Sequence, residues 1–127
     1  MRRSDASSAP AMSARTPTSI DQTLIAPLRD LGYGDFCELI RLFLDEAAGR
    51  VARLQAIQQQ GETPELAGVS HALKGTSAAF GATRLATLCA EIEEVALGPA
   101  SADLAMLVNA VVVEFDQVRI ALTEELV

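Results

Sequence analysis

Residues 63–98 read TPELAGVSHALKGTSAAFGATRLATLCAEIEEVALG, the pattern of two amphipathic helices joined by a glycine. Thr63 and Pro64 form a typical helix start, because threonine caps a first turn and proline fits the first helical position. Gly81 is expected to end the first helix and Gly98 the second. Apolar residues recur at spacings of three and four in both segments, which is the period of one buried helix face. The stretch therefore predicts a pair of helices that share a core.

Helices are predicted on both sides of this pair. A short amphipathic segment begins with the capping-box pattern Ser19–Gln22. A longer helix follows an N-cap signal at Gly34 and Asp35 and ends near Gly61, and Ser101 is expected to cap a last helix. The predicted core positions of the longer helix are Phe36, Ile40, Phe43, Ala47, Val51, Leu54 and Ile57. These short connections and single apolar stripes predict an all-α fold, an antiparallel four-helix bundle with a short extra N-terminal helix.

Composition bounds the class of protein. The chain has 127 residues, enough for one domain. Residues 19–127 are expected to form the bundle, and residues 1–18, which are poor in apolar side chains, are expected to be a disordered tail. A net charge of −7 disfavours nucleic acid and anionic membranes as partners. The longest uncharged stretch of the bundle, Leu104–Val113, is about half of a membrane span. The sequence therefore predicts neither nucleic-acid binding nor membrane insertion.

The only histidine of the chain, His71, is predicted to point outward from the first helix of the pair. Successive helical residues lie about 100° apart around the axis, and the apolar residues of this segment then cluster in one arc. His71 falls roughly 170° from the centre of that arc. The predicted core face consists of Leu66, Val69, Leu73, Thr76, Ser77 and Phe80.

Small residues surround His71 on the predicted helix surface. Its neighbours three and four positions away include Ala67, Gly68 and Gly75, and Ala78 lies one turn beyond. A glycine inside a helix costs roughly 1 kcal/mol relative to alanine, so two of them beside an exposed histidine indicate a close approach to the ring. Relief of helix–helix crowding is the structural alternative, although the predicted direction of both glycines is away from the core.

Few chemistries are open to His71. The only lysine, Lys74, lies three residues later, where its ammonium can reach a phosphate held on the ring; it can also be an ordinary solvated lysine. A metal site lacks partners, because there is one histidine and both Cys37 and Cys89 lie on apolar stripes as buried thiols. A Ser–His or Cys–His hydrolase would need a paired base and an oxyanion hole, and the sequence suggests neither. A neutral imidazole surrounded by small, exposed residues remains a good nucleophile for a phosphoryl group.

The stretch from His71 to Glu93, HALKGTSAAFGATRLATLCAEIE, resembles the signature of histidine-containing phosphotransfer (HPt) domains. The resemblance continues weakly through residues 39–46, LIRLFLDE. It implies a four-helix bundle whose exposed histidine takes a phosphoryl group from one receiver-domain aspartate and passes it to another.

The resemblance also implies roles for individual residues. It aligns His71 with the phosphorylated histidine, and Lys74 and Gly75 with the residues beside it. Lys74 would then stabilise the phosphate. Glu93 would face His71 across the helix pair and orient the imidazole, and its position at the boundary of its helix's apolar stripe is consistent with this.

The function predicted on this basis is that of a phosphocarrier without ATP-dependent kinase activity, since no Gly-rich nucleotide loop is present. The expected partners are receiver domains of response regulators or hybrid sensor histidine kinases. These would supply the aspartyl phosphate and Mg²⁺, so that the chain needs no cofactor of its own. Docking is expected on the face formed by Ala67, Gly68, Gly75 and Ala78.

A monomeric, cytoplasmic protein is expected, and the Met1 start and tail favour a stand-alone chain over a domain of a larger kinase. The alternative is a non-catalytic helical adaptor that binds a signalling partner through the Ala/Gly face around His71 without phosphorylation.

Overall fold

The computed structural model describes residues 19–61, 63–98 and 103–126, and this part of the chain is helical throughout, with short turns. The helices are α1 (Gln22–Arg29), α2 (Tyr33–Gln60), α3 (Thr63–Ala79), α4 (Thr83–Leu97) and α5 (Leu104–Glu124). The predicted disorder of residues 1–18 and the predicted cap Ser101 lie outside the described residues. Within the described ranges, no helix combines the length and apolarity that a bilayer crossing needs.

Four long helices close into a bundle. Helix α3 packs against α2 and α4, and α5 packs against the same two helices from the other side. The connections between successive long helices are short, so neighbours in the chain run antiparallel. Helix α1 packs on α2 at one end of the bundle. The predicted antiparallel four-helix bundle with a short extra N-terminal helix is confirmed.

Side chains of the long helices fill the interior. Every predicted core position of α2 is buried, from Phe36 to Ile57. The rings of Phe43 on α2 and Phe80 after α3 stack with centroids 4.6 Å apart. Full burial of one such apolar side chain stabilises the fold by about 1.5–3 kcal/mol, so the α2 stripe is a major contributor. The buried residues of α5 are Leu104, Val108, Val111, Glu114, Phe115, Val118 and Leu122.

The turn between α3 and α4 is a glycine-dependent helix cap. Gly81 has φ +77°, a left-handed conformation that residues with a Cβ rarely adopt. Its N–H donates to the Ala78 carbonyl at 3.1 Å, and the Ala82 N–H donates to the Ser77 carbonyl at 2.8 Å. These two bonds are those of a Schellman motif, and they satisfy carbonyls at the end of α3. The predicted helix end at Gly81 is confirmed.

Two predicted helix starts are wrong. Asp21, not Ser19, caps α1, because its carboxylate accepts hydrogen bonds from the Thr23 N–H at 3.0 Å and the Thr23 hydroxyl at 2.6 Å. Helix α2 begins at Tyr33 after Gly32, and among the described residues no side chain caps it. Asp35 instead lies in the first turn of α2, where a carboxylate is favoured by the helix dipole.

The buried face of α3 also differs from the prediction. Val69, Thr76 and Phe80 are only partly buried, whereas Ala67 and Ser70 are buried. The buried arc is therefore rotated by roughly 60° relative to the predicted one. The physical reason is that α3 packs against α4 as well as α2, and small side chains allow α4 to approach closely.

Candidate functional site

The rotation of α3 changes the position of His71. Measured from the observed buried arc, His71 lies at about 110° instead of the predicted 170°. It is therefore beside the α3–α4 seam, not at the outermost line of the helix. The side chain is still 67% exposed, so a partner can reach the ring.

Glu93 on α4 contacts the ring of His71. Its Oε2 lies 2.9 Å from Nδ1 of His71. The two residues are ten positions before and twelve positions after Gly81, which at about 1.5 Å of rise per residue places them at nearly the same level of the antiparallel pair. The tight turn at Gly81 therefore sets the register that brings the carboxylate to the imidazole.

Lys74 contacts the same carboxylate. Its Nζ lies 2.9 Å from Oε1 of Glu93, so the two carboxylate oxygens bind one donor each. The Glu93 side chain is 22% exposed and that of Lys74 is 35% exposed. The Lys74 ammonium, and after it the hydrogen bond with His71, holds the pKa of Glu93 below its ordinary value, although partial burial acts in the opposite direction. Glu93 is therefore ionised at neutral pH.

The hydrogen bond with Glu93 selects one tautomer of the His71 imidazole. An ionised carboxylate only accepts hydrogen bonds, so Nδ1 of His71 is the donor and carries the proton. In the neutral ring Nε2 then has a free lone pair, because only one nitrogen is protonated. The arrangement can thus present an oriented nucleophile to solvent, with a negative charge behind it.

The surface beside His71 is open, but less so than expected. Gly68, Gly75 and Ala78 are exposed, and a Cβ added at either glycine would meet no atom of the described part of the chain within 4 Å. The expectation that Ala67 belongs to this surface is wrong, because Ala67 is only 6% exposed. It lies on the buried side of α3 that the rotated packing creates.

Cys89 lies one turn before Glu93 and is buried. Burial raises the pKa of its thiol to about 12, against a weaker opposing effect of the Lys74 charge. The thiol is therefore protonated at neutral pH and does not compete with the imidazole as a nucleophile.

The contact between Lys74 and Glu93 is absent from the sequence-based interpretation, which directs Lys74 only toward a phosphate. Periodicity within α3 places Lys74 beside His71, but contains no information about which α4 residue lies opposite. The pairing depends on the register that the Gly81 turn imposes.

Comparison with known proteins agrees with this geometry. The family model of the Hpt domain matches residues 38–126, which is most of the chain. Among solved structures, histidine-containing phosphotransfer protein B (HptB) from Pseudomonas aeruginosa PAO1 is similar, with a TM-score of 0.81 and 28% sequence identity, over 87% of this chain and 96% of that one. A comparison with curated protein sequences gives no match. The helical bundle, the exposed His71 on α3 and the family match lead to one conclusion: the chain belongs to the Hpt domain family.

Proposed function

We propose that this protein is a phosphocarrier that accepts a phosphoryl group on Nε2 of His71 from a receiver-domain aspartate and passes it to another receiver aspartate. The observation that carries the proposal is the 2.9 Å contact between Nδ1 of His71 and Glu93, on a ring that is 67% exposed. It supplies what the transfer needs, an oriented lone pair that a second protein can reach.

The chemical step is a displacement at phosphorus. The Nε2 lone pair forms a bond to phosphorus as the bond from phosphorus to the aspartate oxygen breaks, and the aspartate carboxylate leaves with that electron pair. The ring becomes positively charged, because Nδ1 keeps its proton. Glu93 is the group that balances this charge, and the reverse sequence returns the phosphoryl group to the next aspartate.

The remaining residues have supporting roles in this proposal. Lys74 stabilises the phosphate on the ring. The exposed Gly68, Gly75 and Ala78 allow the receiver to approach, and support for this comes from the open space around both glycines. The receiver supplies Mg²⁺ along with the aspartyl phosphate, and both oxygens of Glu93 already bind donors of their own chain.

The Hpt family consists of phosphocarriers, which interact with receiver domains of response regulators. Accordingly we propose that receivers of response regulators or hybrid kinases are the partners, and that the protein acts as a monomer in the cytoplasm.

The test is incubation with a phosphorylated receiver domain. We expect phosphate to appear on this chain in an acid-labile, base-stable form, and not to appear on the His71→Gln variant. Binding of the receiver without phosphate transfer would contradict the proposal and would favour a non-catalytic adaptor that uses the same face.

A further inference from the structure

The Glu93 carboxylate is shared between two donors, and this has a consequence for Lys74. One oxygen accepts from Nδ1 of His71 and the other from Nζ of Lys74, each at 2.9 Å. In the unphosphorylated protein the ammonium is thus bound to Glu93. A lysine that stabilises a phosphate on the ring either bridges both anions with its three N–H groups or leaves Glu93 after transfer.

The charges of the site change when the ring is phosphorylated. Before transfer, Glu93 faces one cation, Lys74, and a neutral ring. During transfer the Nε2–P bond forms and the P–O bond to aspartate breaks, so the ring gains one positive charge and carries a dianionic phosphoryl group. Afterwards Glu93 has a cation in the ring itself, and the strongest nearby anion for Lys74 is the phosphoryl group.

We propose, on the basis of the function proposed above, that Lys74 exchanges partners during the transfer. It pairs with Glu93 while the ring is free and moves to the phosphoryl group once Nε2 is phosphorylated. The exchange requires little free energy, because both members of the Lys74–Glu93 pair are partly exposed and such pairs stabilise a fold little. The flexible four-carbon stem of lysine allows the movement without a change in α3.

The exchange gives Lys74 two separable roles. In the free protein it is a positioning residue, which acts on the ring through Glu93 by holding the carboxylate in place for the Nδ1 proton. In the phosphorylated protein it contacts the phosphate directly. The first role requires Glu93 and the second does not.

The composition of the chain allows a direct test. Lys74 is the only lysine and His71 the only histidine, so in the full-length protein labelled with ¹³C,¹⁵N-lysine and ¹⁵N-histidine all labelled side-chain signals come from these two residues. The protein is phosphorylated with phosphoramidate, a small phosphoryl donor, so that the measurement needs no receiver domain. The Lys74 side-chain shifts are then compared between wild type and Glu93→Gln in both states.

We expect the Lys74 side-chain shifts to differ between wild type and Glu93→Gln in the free protein. In the phosphorylated protein we expect this difference to disappear. Persistence of the same difference after phosphorylation would overturn the exchange. If a phosphorylated receiver does not modify His71, the proposed function fails, whereas a Lys74 difference that persists after phosphorylation by phosphoramidate overturns the exchange alone. The two failures are therefore distinguishable.

The lifetime of the phosphohistidine supplies a second readout. Lys74→Met is expected to shorten it by the same factor in the wild-type and Glu93→Gln backgrounds, because the ammonium acts on the phosphate without Glu93. Loss of the Lys74→Met effect in the Glu93→Gln background would contradict the exchange. Arg119→Met, which removes a cation from the exposed Arg119–Asp116 pair on α5, is the matched control and should leave both readouts unchanged.

Discussion

The backbone N–H of Asp21 donates to the carbonyl of Gly81 at 2.7 Å, so the start of α1 is joined to the turn between α3 and α4. The contact is close on both sides. A Cβ at Gly81 would lie 2.9 Å from the Asp21 carbonyl oxygen and 3.4 Å from its nitrogen. The turn that sets the register of His71 and Glu93 is therefore also the attachment point of α1.

We expect Gly81→Ala to destabilise the protein more than Gly61→Ala. Both glycines have a positive φ, +77° and +79°, which costs a residue with a Cβ about 1–2 kcal/mol. Of these two, only Gly81 would place the new methyl group against backbone, whereas a Cβ added at Gly61 would meet no atom within 4 Å among the residues that the structure describes. Overpacking of this kind adds about 1–3 kcal/mol. Urea unfolding of the two variants measures the difference, and equal losses would show that α1 is not held closely at this turn.

The first helix start was not predictable from local sequence alone. Ser19 and Asp21 are both good capping residues, and local sequence rules do not choose between them. The backbone of Asp21 is also held by its hydrogen bond to Gly81, sixty positions later in the chain, and local rules contain no information about such a contact. Periodicity, in contrast, depends only on local spacing, and it correctly predicted the buried stripe of α2.

The features of the candidate site likewise fall into those that follow from local spacing and those that depend on how helices pack. The exposure of His71 and of its neighbouring glycines could be predicted from the pattern within one helix. The burial of Ala67 could not, because alanine is compatible with either environment and the close approach of α4 decides. The Lys74–Glu93 contact likewise depends on how two helices are aligned.

His71→Gln is expected to abolish phosphoryl acceptance and leave the fold intact. The side chain is 67% exposed and lies outside the core. A surface substitution of this type usually changes the free energy of unfolding by no more than about 0.5 kcal/mol. Circular dichroism on heating checks the fold, and a large drop in the thermal midpoint would identify His71 as a structural residue.

Gly75→Gln is expected to slow phosphoryl transfer without destabilising the bundle. A side chain four residues after His71 would crowd the ring, where reacting atoms need to approach within about 3–3.5 Å. Removal of a helical glycine can stabilise the helix by up to about 1 kcal/mol. Gly49→Gln on α2 is the matched control, because Gly49 is also exposed and helical, and a Cβ added there would likewise meet no described atom within 4 Å. Equal transfer rates in the two variants would refute a role for the open surface beside His71.

The ionisation of Glu93 predicts how its contribution depends on pH. Its pKa is lowered in the folded protein, chiefly by Lys74, so the folded state binds fewer protons than the unfolded state in that range. The contribution of ionised Glu93 to the free energy of unfolding is fully present above the ordinary glutamate pKa. It is lost as the pH falls through the lowered pKa of the folded protein. A ¹³C titration of the Glu93 carboxyl is expected to show a midpoint below the ordinary value of about 4.3. Lys74→Met is expected to move this midpoint upward, and an unchanged midpoint would mean that the ammonium does not contact Glu93 in solution.

Replacement of Glu93 separates orientation of the ring from charge. In Glu93→Gln the amide oxygen can still accept the Nδ1 proton of His71, so Nε2 keeps its lone pair and transfer changes modestly. In Glu93→Ala both the hydrogen-bond acceptor and the charge that balances the phosphorylated ring are lost. We expect transfer to slow by about 10- to 100-fold, since a misplacement of a reacting group by about 1 Å can have an effect of this size. The ¹⁵N shifts of the single histidine are expected to show a proton on Nδ1 in wild type and Glu93→Gln, and a shift of the proton toward Nε2 in Glu93→Ala. If Glu93→Ala transfers as fast as Glu93→Gln and retains the Nδ1 proton, the carboxylate does not orient the ring, and the 2.9 Å contact has no part in phosphoryl transfer.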